Sequence, residues 1–262
     1  DAEGRIETSL IFLWVAAPLG TLLLFGFAPQ SIQAVKTTRA KDLLLVWQRS
    51  FASPARRRLG LLFALVGAHA ALAAGSYIYL VERGLSLAGW AMPALFVQAV
   101  ATALGLVAAT SLLERLGVRR VLGLIFICNA ALALMILALP SGDARVLLVW
   151  AAFRGLVSGA DFMVLRALAG EELDAEHART GYAPAGVFYA AFHLPYNLAG
   201  ALATGVLFHA YALAGMSETD PAGDAARWLP ALGGVGLSLL CLTVSFRLER
   251  YASQPPEIEQ TS

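Results

Sequence analysis

Apolar residues gather into long runs broken by short polar connectors. The runs lie near 9 to 28, 59 to 81, 90 to 112, 120 to 140, 146 to 168, 184 to 214 and 228 to 247. Each offers the roughly 20 mostly apolar residues that a helix needs to cross a bilayer. The pattern predicts an all-α integral membrane protein with seven transmembrane helices. Connectors such as "RGLSLAG" at 83 to 89 and "LPSGDA" at 139 to 144 carry turn and breaker residues. The sixth run is long enough to tilt, or to bend at Pro195.

Composition agrees with lipid as the surrounding solvent. Of the 262 residues, 58% are hydrophobic and 14% charged, with a mean hydropathy of +0.69, whereas soluble domains are about a quarter charged. The net charge of +1 comes from few basic residues dispersed among apolar runs, which excludes nucleic acid as a partner. There is no HExxH, Walker loop, GxSxG or Cys/His cluster with metal spacing, so neither an enzyme nor a cofactor-dependent protein is expected. Cys128 and Cys241 fall in apolar runs and read as buried thiols. A seven-helix retinal protein would need a lysine in its last helix, and the only lysines are Lys36 and Lys41.

Orientation follows from the basic residues of the connectors. The segment 29 to 58 holds Lys36, Arg39, Lys41, Arg49, Arg56, Arg57 and Arg58 against one acid, Asp42, and is expected in the cytoplasm. Alternation then puts "ERLGVRR", the loop around "EELDAEHART" and the tail after Arg247 on the same side, with the acidic "SETDPAGD" opposite. The expected location is a plasma membrane, of the bacterial inner-membrane kind, with Asp1 outside and the C-terminus in the cytoplasm. "DAEGRIETS" has no signal-peptide pattern. The resulting organisation is a single span at 1 to 28, a basic linker at 29 to 58, a six-helix bundle at 59 to 247 and a tail at 248 to 262. The linker's "KDLLLVWQRSF" reads either as a surface amphipathic helix or as a plain connector.

Candidate chemistry lies in the polar residues inside the runs. Arg154 and Asp161 are seven apart, which returns to within about 20° of the same helix face. A charge at mid-bilayer costs about 2.5 to 3.5 kcal/mol on insertion scales, so both must face protein or water. They read as a substrate or gating pair, or as an ion pair locking helices. In "FYAAFHLPYNLAG" at 188 to 200, Tyr189, His193 and Asn197 recur every four residues, with Tyr196 beside them. This polar stripe either lines an aqueous cavity or bonds neighbouring helices. His69 stands among Ala and Gly at the middle of the second run and reads as a packing hydrogen bond or a proton relay. Gln98, Asn129 and His209 read first as interhelical or interfacial anchors.

Two motifs carry a family resemblance. The layout, with "LLERLGVRRVLG" at 112 to 123 after the third run, resembles the major facilitator superfamily entered at its sixth helix. The segment 170 to 200, with Glu171, Asp174, Thr180, Gly181, Gly186, Phe188 and Phe192, resembles the glycoside, pentoside and hexuronide cation symporters, the melibiose-permease-like family. Where that family has a strongly polar residue about eleven positions after the second Gly, this chain has Asn197, and "YAPAG" replaces its charged turn. The resemblance implies a secondary transporter moving a small solute by alternating access, with or without a coupling cation, its partners being that solute, the bilayer and an N-terminal half of the same transporter. A solute sensor or assembly scaffold of transporter-like build is the alternative.

Overall fold

A computed structural model describes residues 47, 48, 50–181, 185–215 and 224–252, with the side chains of the last helix described to residue 247. These belong to the second of two units, Leu43–Ser262. The expected first span and most of the basic linker lie outside the described residues. Among those described, the chain forms six helices and a π-helical turn.

Local chemistry sets the helix ends. Helix α1 (Pro54–Tyr79) starts where the Ser53 Oγ accepts the Arg56 N–H at 3.2 Å and Pro54 occupies the first turn. It ends in the π turn Leu80–Gly84. Helix α2 (Ala91–Leu116) stops at Gly117, whose φ of 76° few other residues accept, and α3 (Val118–Ala138) follows directly. Helix α4 (Ala144–Thr180) is capped by the Asp143 carboxylate and stopped by Gly181 in the left-handed region. Helices α5 (Ala185–Leu213) and α6 (Ala225–Ala252) contain Pro195 and Pro230.

Five of the six, all but α5, are long and apolar enough to cross a membrane. Helix α5 has the length, and Tyr189, His193, Tyr196, Asn197 and His209 interrupt its apolar run. The segment around "EELDAEHART", expected as a loop, is instead the last part of α4. Falling hydropathy ends an apolar run, but Glu, Leu, Ala and Arg are good helix formers and the helix continues to the glycine. At roughly 1.5 Å per residue α4 is about 55 Å long, against about 30 Å of hydrocarbon, so its final turns project beyond the bilayer.

The helices pack with an internal two-fold relation. The most extensive pairings are α2 with α4, α1 with α5 and α3 with α6, followed by α1 with α6 and α3 with α4. Exchanging α1–α3 for α4–α6 maps this set onto itself. Each unit has an odd number of helices, so the two run in opposite senses, as in inverted repeats. Glycines permit both crossings. A Cβ at Gly67 of α1 would overlap the Tyr196 carbonyl of α5, and Cβ atoms at Gly105, Gly155 and Gly159 would overlap the Leu156, Gln98 and Thr102 carbonyls between α2 and α4.

Two apolar clusters fill the bundle. One gathers Leu59, Phe63, Val66, Leu122, Phe126, Val164, Phe188 and Phe192, and the other Tyr77, Val81, Leu85, Leu132, Ile136, Leu147 and Trp150. Residue order on each helix sets the clusters toward opposite ends. Beyond the first, Arg56 pairs with Glu172 at 3.2 Å and Glu176 at 2.7 Å, and Arg179 with Glu176 at 2.8 Å. Beyond the second, Arg227 donates to the Gly84 carbonyl at 2.7 Å and the Ser141 hydroxyl at 2.8 Å. Both free cysteines are shielded, Cys241 fully and Cys128 partly.

Candidate functional site

Between the two apolar clusters lies a polar layer. On α1 it contains His69, between Val66 and Tyr77, and on α4 it contains Arg154 and Asp161, between Trp150 and Val164. On α5 it contains His193 and Tyr196, which follow Phe192.

Arg154 sits one helical turn after Trp150, with its guanidinium over the indole at 5.4 Å. The indole is itself fixed, because its Nε1–H donates to the Leu132 carbonyl at 3.0 Å and its ring stacks on Tyr77 at 6.5 Å. His69, Ser76, Tyr77, Trp150, Arg154 and Gly234 line a cavity of about 10 Å³, room for about one water. Arg154 Nε and Tyr77 Oη are buried with no hydrogen-bond partner among the described residues. Buried donors are normally satisfied, so two orphans in one cavity call for an explanation.

Asp161 lies two turns along α4 from Arg154, about 10 Å on the helix axis. Its residue is 9% exposed and its Oδ1 has no partner among the described residues. Arg154 and Asp161 thus both turn inward, as their spacing predicts, but they do not pair with each other. The ion pairs found among the described residues join Arg56, Glu172, Glu176 and Arg179.

The predicted stripe on α5 divides. Tyr189 and Tyr196 pack against the first apolar cluster, and the Tyr189 hydroxyl lies beside Gly170 of α4. His193 meets Phe63 at 5.8 Å and Tyr196 at 5.9 Å, both edge-on. Asn197 is exposed on the surface of α5. His69, which stands alone in the sequence, shares its cavity with Arg154. Gln98 Oε1 is buried with no hydrogen-bond partner among the described residues. Sequence reasoning did not single out Trp150 and passed over Tyr77; the four-residue step from Trp150 to Arg154 is the signal that would have found the former.

At the projecting end of α4, burial opposes ionisation of Glu176, but hydrogen bonds and charge from Arg179 and Arg56 outweigh it and hold the carboxyl below its ordinary value. That end is a charge network, whereas Arg154 Nε and Asp161 Oδ1 have no hydrogen-bond partner among the described residues.

A family model described as MFS/sugar transport protein matches residues 6–248. The chain belongs to that family. No curated protein matches it. Family membership and the long apolar helices together make this an integral membrane protein of a transporter family.

Proposed function

We propose that this MFS protein is a secondary transporter that carries a small solute by alternating access, coupled to a cation. Helices α1 to α6 form its C-terminal half, the run at 9 to 28 is the helix before that half, and the solute sits between this bundle and an N-terminal half. The observation that carries the reading is the polar layer, with His69, Arg154, Asp161, His193 and Tyr196 set between two apolar clusters at mid-helix. Charges at that depth are costly and are kept where they act on a solute or ion. The resemblance of 170 to 200 to the glycoside, pentoside and hexuronide cation symporters supports the same reading. In it, the end bearing Arg56 and Arg179 faces the cytoplasm, by the basic-residue rule.

In this scheme Arg154, with His69 and Tyr77, holds the solute, while Asp161 is the charge that a coupling cation or proton neutralises. Tyr189, His193, Tyr196 and Asn197 complete the path along α5. The test is uptake of a panel of labelled sugars and organic solutes into liposomes holding the purified full chain, with and without proton and sodium gradients. Concentrative uptake that Asp161→Asn uncouples, in protein that still folds, is the expected result. No uptake of any solute under any gradient would overturn the reading and leave a sensor or scaffold role.

A further inference from the structure

We infer that the cavity among His69, Tyr77, Trp150 and Arg154 is the docking point for a carboxylate group, so that the solute of this protein is an organic anion and not a neutral molecule. The inference deepens the transport reading and names the chemistry of its site.

The cavity is built from donors. Arg154 brings a guanidinium, Tyr77 a hydroxyl and His69 an imidazole, while the remaining lining residues are Leu72, Ala73, Leu80, Ala133, Ile136 and Pro230 together with Ser76, Trp150 and Gly234. No Asp or Glu lines it. The Ser76 hydroxyl is engaged, donating to the Ala73 carbonyl at 3.3 Å, and the Trp150 N–H is engaged with Leu132. What remains unbonded is Arg154 Nε and Tyr77 Oη, both buried and without hydrogen-bond partners among the described residues.

The nature of the orphan atom narrows the ligand. A guanidinium whose Nε is open offers its side edge, Nε with the neighbouring Nη, which matches the two oxygens of a carboxylate in a planar, two-bond pairing. The Trp150 ring holds that plane from one face at 5.4 Å. Tyr77, 4% exposed and stacked on the same indole, can donate a third hydrogen bond to one of those oxygens. A water would fit the present cavity of about 10 Å³, but it would bring Arg154 no counter-charge. Asp161 stands about 10 Å farther along α4 and cannot reach Nε from its own helix turn. A carboxylate entering from the solute path completes the charge and both donors at once, widening the cavity as it enters.

The test uses the purified full chain in lipid nanodiscs and measures binding by calorimetry and by thermal melting. The probes are matched pairs that differ in the carboxylate alone: gluconate with sorbitol, benzoate with benzamide and lactate with 1,2-propanediol. At least one carboxylate is expected to bind and raise the melting temperature while its neutral partner does not. Arg154→Lys should weaken that binding by about tenfold or more, since an ammonium offers no planar fork, and Tyr77→Phe by a smaller factor of roughly three to ten, the worth of one hydrogen bond. Should Arg154→Lys lower folded yield, Tyr77→Phe, which removes only an oxygen, still tests the site. Failure of all three carboxylates, equal binding of a neutral partner, or unchanged affinity in both variants would overturn the inference. Neutral-sugar uptake without carboxylate binding would remove the anion site and leave transport standing; carboxylate binding without any uptake would do the reverse.

Discussion

The two crossings related by the internal two-fold are built to different tolerances. Between α2 and α4, three glycines on two helices bring backbone against backbone at Gly105, Gly155 and Gly159. Between α1 and α5, Gly67 alone makes such an approach; Gly200 leaves a Cβ 3.2 Å from the Gly67 carbonyl, and Gly75 meets only the Leu207 and Thr204 side chains. Pro195 also removes one backbone hydrogen bond from α5 near its crossing. The crossing that carries Arg154 and Asp161 is therefore the stiffer of the two, and the one that carries the aromatic stripe is the looser.

The comparison breaks first at α4. Gly159→Val should be the most damaging change, because its Cβ would overlap the Thr102 carbonyl and lie 2.8 Å from the Leu106 nitrogen; a loss of about 3 kcal/mol or more is expected, at the upper end for overpacking, seen as lost folded protein in size-exclusion profiles of detergent extracts. Gly67→Ala should cost about 1–3 kcal/mol by the same mechanism at the looser crossing, measured as a lower melting temperature in protein that still inserts. Gly200→Ala should cost about 1 kcal/mol or less, since a contact of 3.2 Å asks its neighbour for only a small adjustment. Gly159→Ala no more costly than Gly67→Ala would mean that the crossings do not differ. Gly205, with open space around its Cβ position, should reverse the sign, Gly205→Ala stabilising by about 0.5–1 kcal/mol through helix propensity.

The smallest effect expected is that of pH on the pairing between α1 and α4. Because Glu176 has a folded value below its ordinary 4.5, its contribution is fully present above that value and is lost as pH falls through the lower folded one. Wild-type and Glu176→Gln proteins should therefore differ by a constant melting offset between pH 8 and pH 6. A difference that changes across that range would place the control of this end in another group.

Helix positions were legible in the sequence because lipid imposes a length. The runs at 59 to 81, 90 to 112, 120 to 140, 146 to 168, 184 to 214 and 228 to 247 each fall largely on one of the six helices. The end of α4 was not legible, since helix and apolar run part company outside the bilayer. In the site, the seven-residue spacing correctly turned Arg154 and Asp161 to the interior, because helix periodicity is local. It could not show that His69 shares a cavity with Arg154, because that meeting depends on how separate helices cross. Asn197 lies one turn on from His193 and is exposed, because the helical repeat drifts by about 40° over four residues.

Trp150 also gives the molecule an optical sensor. Among the described residues Trp47, Trp90 and Trp228 are half-buried or exposed, whereas Trp150 is 2% exposed. Its indole should emit at shorter wavelength than theirs, and a cation resting on its face at 5.4 Å makes its intensity depend on where the guanidinium lies. Anything that draws Arg154 off the ring should change the blue edge of the spectrum before it changes the rest, and Trp150→Phe should erase that change. Occupancy of the mid-bundle cavity could then be followed in real time by light, with no label attached.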